Sequence, residues 1–339
     1  MTAWLGAGGW TAAAIGALCV CAAAAGPADR DPRAAAKVEL GHQLFYDADL
    51  SIDGTMACAT CHEQRRGFTD GNRTHPGVHG DPGRRNIMAL ANVGDFGSFT
   101  WGDPGVRSLE AQALIPIQGV HPVEMGMAGQ EAVLASRLGA DACNRQMFAA
   151  AFPGSGGAVS MQTITQALAA FERTLTSSDS PYDRVRRGDR SALTPAARRG
   201  EALFFDRMDC ASCHAGPDFT DAARPGADPV AAFHDIGLHD RGVISSGDGG
   251  LREITSLVAD EGRFRTPSLR NVALTAPYLH DGSAATLDEA IRRHRLGSGA
   301  TASPDETSDL VAFLSSLTDR RFVTDPRYAL PRTRCGEPR

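Results

Sequence analysis

The sequence predicts a mainly α-helical protein with long loops and little strand, built twice over from one unit. The first observation behind this is a repeated frame. Gly41-His42-Gln43-Leu44-Phe45-Tyr46-Asp47, then Cys58-Ala59-Thr60-Cys61-His62, then Phe68-Thr69-Asp70 recurs in the same order. The second copy reads Gly200-Glu201-Ala202-Leu203-Phe204-Phe205-Asp206, then Cys210-Ala211-Ser212-Cys213-His214, then Phe219-Thr220-Asp221. Two copies of one unit imply two similar domains. The second observation is that apolar residues return at helical spacing behind capping residues. The third is the scarcity of alternating, β-branched runs.

Taken in order, Ala34 to Tyr46 carries the first helical pattern, after an Ala-, Gly- and Pro-rich linker from Gly26 to Arg33. A helix is expected over Ser108 to Leu114. Another is expected over Gln162 to Leu175, where Ile164, Leu168 and Phe171 share a face. The polar run Ser177 to Arg190 reads as a boundary. Thr194-Pro195 opens the helix of the second copy, since a hydroxyl caps and Pro suits the first turn. Thr286, with Asp288 and Glu289 behind it, and Ser303-Pro304 open two more. The expected division is a secretion signal over 1–25, an N-terminal domain over 26–185 and a C-terminal domain over 186–339.

In C-x-x-C-H, two thiols add to the vinyl groups of a haem and the adjoining imidazole becomes an axial iron ligand. The porphyrin dictates both spacing and order. Cys58, Cys61 and His62 are therefore expected to hold one covalent c-type haem, and Cys210, Cys213 and His214 a second. A thioredoxin-type pair or a zinc site gives no reason for a His after both cysteine pairs. The predicted fold is thus two cytochrome c-like haem domains, in which helices supply packing and loops wrap the porphyrin.

Composition sets the surroundings of that chemistry. With 42% hydrophobic and 22% charged residues and a net charge of -6, the chain has no basic patch of the kind that nucleic acid requires. Met1 to Ala25 holds no charged side chain and ends in four alanines, which predicts export to the periplasm. An uncleaved anchor is the alternative, with an apolar core short for a bilayer. Six of the eight cysteines lie beyond the signal, and the two outside the haem motifs, Cys143 and Cys335, are candidates to pair in an oxidising compartment.

What the irons do depends on the groups opposite His62 and His214. Leu287, Ala290, Ile291 and His294 fall on one helical stripe, so His294 is either a ligand to the second iron or a hydrogen-bonded core histidine. For the first haem, Gln112 and Glu124 offer an amide and a carboxylate. An acid beside an open iron could move a proton between the oxygens of a peroxide; a solvated polar side chain is the plainer reading. Trp101, the only Trp after the signal, is by itself more often a core residue than a redox relay.

With these residues in view, the chain resembles the di-haem bacterial cytochrome c peroxidase and MauG family over nearly all of the sequence beyond Ala25. The resemblance is carried by Leu44-Phe45-Tyr46-Asp47, Gly67-Phe68-Thr69-Asp70-Gly71, Arg85-Asn86, Ser108-Leu109-Glu110-Ala111-Gln112, Pro122-Val123-Glu124-Met125-Gly126 and Thr266-Pro267-Ser268-Leu269-Arg270-Asn271 through Gly282. Ser108 to Gly126, Ser178 to Asp183 and Phe233 to Leu238 look nearest to its MbnH-type branch. Those enzymes oxidise a Trp of a copper-binding MbnP-type partner protein to kynurenine.

The resemblance implies a periplasmic enzyme that uses hydrogen peroxide and shares two oxidising equivalents between its haems, in a high-valent di-haem state that oxidises a partner protein. It puts Gln112 and Glu124 in the distal pocket of the first haem and Trp101 between the two haems. It implies calcium between the domains, on Asn86 and the carbonyls of Thr275 and Pro277. His294 stands where peroxidases of the family carry Met and MauG carries Tyr; two histidines favour the ferric state, since a thioether raises the potential. His79 lies near the position of a loop histidine that ligates the resting first iron in some peroxidases, and is otherwise a plain loop residue. A detoxifying peroxidase fed by a small redox protein is the second reading, and an electron-transfer cytochrome without catalysis the third.

Overall fold

The computed structural model describes residues 32–223, 226–238, 247–294 and 299–338. The expected signal, with Cys19 and Cys21, lies outside the described residues. The fold is mainly helical with little strand, as expected. Its helices are α1 (Pro32–Phe45), α2 (Cys58–Cys61), α3 (Leu109–Gln118), α4 (Glu131–Ala140), α5 (Ala142–Ala151) and α6 (Met161–Glu172), then α7 (Pro181–Arg186), α8 (Pro195–Phe205), α9 (Arg252–Thr255), α10 (Leu287–Arg293) and α11 (Pro304–Ser315). Among the described residues, strand is confined to the two-residue antiparallel pairs β1 (Phe233–His234) with β2 (Phe264–Arg265) and β3 (Thr333–Arg334) with β4 (Glu337–Pro338).

Helix starts follow the capping residues. The side chains of Ser108, Thr194, Thr286 and Ser303 each accept the backbone N–H three residues on. α3 runs a turn past Leu114, through Pro116. α4 and α5 add two helices to the first half, and the stretch Ser177 to Arg190 contains α7, capped by Ser180.

The duplication is physical as well as sequential. α1 packs on α6 and α8 packs on α11, and each contact turns on a glycine. A Cβ on Gly41 would lie 1.9 Å from the Ala167 carbonyl oxygen, and one on Gly200 would lie 1.9 Å from that of Asp309. In both crossings the next obstacle is the Cβ of a buried Phe, Phe171 in α6 and Phe313 in α11. Small residues let the backbones close in, and the rings fill the space beside them.

Two apolar cores result. The first is built around Phe45, Phe68, Phe148 and Phe171; the second around Phe204, Phe219, Phe313 and Leu317. The chain then returns, because Phe322, Val323 and Tyr328 join the first core. Tyr46 donates to the Tyr328 carbonyl at 2.6 Å, His42 Nε2 meets the Ala329 carbonyl at 2.7 Å, and Cys143 and Cys335 form a disulfide. Arg270, buried, ties the halves together by pairing with Asp183 at 2.9 Å and Asp218 at 3.3 Å. We propose the division near residue 186 as the boundary between the haem domains, with residues 322–338 laid back across the first.

Candidate haem sites and the pocket of the first

Both C-x-x-C-H motifs are held by the same loop. After His62 the chain makes a left-handed turn at Gly67 and Phe68, with φ +65° at the latter; after His214 it does so at Phe219, φ +52°. A side chain in that region is uncommon. Each Phe tolerates it because its ring is fully buried in a core while its carbonyl turns back toward the histidine. His62 Nδ1 bonds the Phe68 carbonyl at 2.8 Å, and His214 Nδ1 bonds the Phe219 carbonyl at 3.1 Å. That fixes the tautomer and leaves Nε2 of both rings for a metal.

The four motif thiols are free and half-buried. Burial lowers the pKa of His62, and burial with the neighbouring His294 lowers that of His214 to about 4. Both rings are therefore neutral at ordinary pH, the form that binds iron. His294 caps the C-terminal end of α10, its Nδ1 on the Ala290 carbonyl at 2.7 Å. Its ring centre stands 6.5 Å from that of His214. Two imidazoles sharing one metal through bonds of about 2 Å have centres about 6 Å apart. The second site therefore fits an iron between His214 and His294. Arg265 supports a haem fit too: it is 4% exposed and its Nη1 has no hydrogen-bond partner among the described residues, as suits a porphyrin carboxylate.

The first site differs. His62 has Phe45 as its ring neighbour, 6.4 Å away, and among the described residues no second imidazole faces it as His294 faces His214. His79 is exposed. Glu124 follows the turn at His121-Pro122 and is electrostatically coupled to Cys61, whose thiol burial and then the Glu124 charge push up to about 12. Burial also raises the Glu124 carboxyl above its ordinary range, with His75 opposing. Gln112 sits half-buried on α3. His75 was not singled out by the sequence: its Nδ1 lies 2.7 Å from the buried Asp70 carboxylate.

Trp101 and Asn86 lie where the halves meet. Trp101 is buried, donates from Nε1 to the Asn86 carbonyl at 2.8 Å, and accepts the Arg265 N–H at 2.9 Å. Asn86 in turn donates its backbone N–H to the His280 carbonyl at 2.7 Å and its side-chain amide to the carbonyls of Asn72 and Arg73. Thr275 packs beside Gly67 and, with Pro277, opens the loop that reaches His280.

A duplicated pair of C-x-x-C-H loops, one with a second imidazole facing its histidine and, among the described residues, one without, marks a c-type protein of two haems. The chain belongs to the di-haem cytochrome c peroxidase family. That family's model matches residues 35–191. A methylamine utilization protein MauG from Methylophilus methylotrophus is 35% identical over 300 residues, covering 85% of this chain and 84% of the relative. A cytochrome c551 peroxidase from Pseudomonas aeruginosa is 34% identical over 294 residues, covering 86% and 80%. Among solved structures, a MauG-like protein associated with microbial copper homeostasis superposes with a TM-score of 0.80 at 37% identity, covering 87% of this chain and 93% of that one. The protein is thus a di-haem oxidoreductase of the peroxidase and MauG kind.

Proposed function

We propose that the protein is a periplasmic oxidase that uses hydrogen peroxide to oxidise a partner protein at a distance, in the manner of MbnH-type enzymes acting on a Trp of a copper-binding protein. The observation that carries this reading is the pairing of His214 with His294. A second iron held by two imidazoles is a poor high-potential electron acceptor, which argues against a detoxifying peroxidase fed by a small cytochrome. The copper-homeostasis neighbour, at 37% identity, points the same way. No helix among the described residues is long and apolar enough to cross a membrane.

When bound at His62, a haem supplies the iron that takes peroxide and the reducing equivalents that split it. The residues do the rest. Glu124 would carry a proton from one peroxide oxygen to the other, so that water leaves instead of hydroxide. Gln112 donates a hydrogen bond across the pocket. Phe68 holds the Nδ1 proton of His62 and so keeps the ring in one orientation. Trp101, wedged between the Asn86 and Arg265 segments, couples the two sites electronically. Asn86 Oδ1 and the carbonyls of Thr275 and Pro277 would hold calcium, which all-oxygen ligation suits, and would stiffen the same junction.

Stoichiometric peroxide added to the diferric protein tests the reading. A long-lived two-electron-oxidised spectrum, and a partner protein that gains oxygen mass on Trp, are expected. A diferric protein inert until half-reduced would instead establish the peroxidase reading, and one low-spin at both haems the electron carrier.

A further inference from the structure

We propose that the Asp70–His75 pair hands protons to Glu124, so that the first haem pocket contains a relay and not a lone acid. This rests on the reading of Glu124 as the acid–base group. The relay supplies what that reading leaves open, a route by which solvent protons reach a largely buried carboxyl.

The geometry begins at the repeat. Asp70 closes the first Phe-Thr-Asp, two residues past the carbonyl that holds His62, and its side chain is 2% exposed. One oxygen accepts the Asn72 N–H at 2.9 Å; the other accepts the Asn72 amide at 2.9 Å and His75 Nδ1 at 2.7 Å. With Nδ1 spent on Asp70, Nε2 is the nitrogen left to exchange protons. The His75 side chain is 17% exposed, buried enough to be fixed and open enough to meet water.

The segment that carries His75 lies against Glu124 itself. The Val78 N–H donates to the Glu124 carbonyl at 2.7 Å. A Cβ on Gly77 would fall 1.7 Å from the Val123 carbonyl oxygen and 3.3 Å from Glu124 Cα, so only glycine allows this approach. Within that contact His75 acts electrostatically on Glu124, Glu124 and Asp70 both act on the Cys61 sulfur, which a bound haem would take up as a thioether, and Asp70 and His75 both act on His62.

The second copy supplies a contrast. Asp221 also grips a histidine, His234, at 2.7 Å, but through Nε2, and the haem loop beside it is the one that His294 faces. The arrangement with Nδ1 on the carboxylate and Nε2 left for exchange belongs to the copy that carries Glu124.

Splitting the peroxide moves its own protons; the two solvent protons of H2O2 + 2H⁺ + 2e⁻ → 2H2O enter as the oxidised protein returns to the diferric state with electrons from the partner protein, and these are the protons the relay delivers. In the relay, Nε2 of the neutral His75 ring first takes a proton from solvent hydronium, and that Nε2–H bond then breaks as an O–H bond forms on the Glu124 carboxylate. Nδ1–H remains on Asp70 throughout, and the Asp70 charge stabilises the transient imidazolium.

The test uses the diferric holoprotein as wild type, Glu124→Gln, His75→Gln and Asp70→Asn. Rapid-mixing rates of peroxide consumption, and of the return to the diferric state with ascorbate as electron donor, are taken in H2O and D2O across pH. Infrared difference spectra follow the carboxyl band that Glu124→Gln abolishes. Expected in His75→Gln are a return slower by at least about tenfold, a changed solvent isotope effect and pH profile of that return, and a delayed Glu124 carboxyl band. Asp70→Asn, which keeps the size of the buried group, should move all three the same way; it decides the matter if His75→Gln does not load haem. Wild-type rates, isotope effect and infrared kinetics in both variants, with Glu124→Gln still slow, would overturn the relay alone. Glu124→Gln at the wild-type rate would instead remove the reading on which the relay rests.

Discussion

His214 and His294 face one another with ring centres 6.5 Å apart, and each spends Nδ1 on a carbonyl, Phe219 in one case and Ala290 in the other. The second ring comes from a helix end about eighty residues downstream of the first, so the closed site is a tertiary product of α10 docking on the second core. Among the described residues no second imidazole faces His62 in this way. The asymmetry of two copied loops therefore lies in what the rest of the chain brings to them.

Replacing His294 by Met should raise the second midpoint potential by on the order of 0.1 V, within the span of about 0.8 V that axial ligands command. Spectroelectrochemical titration reads this directly. A potential unmoved by His294→Met would mean that the imidazole does not reach the iron.

Glu124→Gln removes a proton carrier while keeping size and hydrogen-bonding capacity. The peroxide reaction of the diferric protein should slow by about 10²- to 10⁴-fold, with haem spectra unchanged. Stopped-flow absorbance measures it, and unaltered kinetics would end the assignment.

Gly41→Ala and Gly200→Ala each push a methyl into a carbonyl of the facing helix. Each should cost about 1–3 kcal/mol in urea unfolding. If Gly200→Ala proves neutral while Gly41→Ala does not, the two helix crossings are not physical copies.

Glu172, at the end of α6, is buried with Oε2 lacking any partner, and burial raises its pKa to about 8. The folded protein thus keeps a proton that the unfolded chain gives up near its ordinary value of 4.5. Stability contributed by this group is complete below that lower value and declines as pH rises toward about 8. Glu172→Gln, which cannot ionise, should flatten the decline: no gain in mild acid, and a gain on the order of a few kcal/mol at the alkaline end. Urea midpoints across pH check it, and a steeper decline in the variant would contradict it.

The sequence made the haem loops and the helix starts legible because both depend on local chemistry. The C-x-x-C-H order answers to the porphyrin, and Ser108, Thr194, Thr286 and Ser303 answer to the unsatisfied N–H groups behind them. Spacing alone left His294 a choice between core and ligand, and the resemblance put it at the second iron; its ring centre, 6.5 Å from that of His214, supports the ligand. The Asp70–His75 pair escaped notice because its counterpart, Asp221–His234, spans thirteen residues and not five. A comparison of repeats by fixed spacing passes over such a pair. The equivalence of Phe171 and Phe313 was hidden for a similar reason: it is defined by glycines on other helices, Gly41 and Gly200.

Residues 322–338 lie on the first core, and Tyr328 bridges Tyr46 through its own carbonyl and Thr174 through its hydroxyl. The first core is therefore completed by residues 322–338, and contacts so distant along the chain close late in folding, because the long loop between them costs entropy before they reward it.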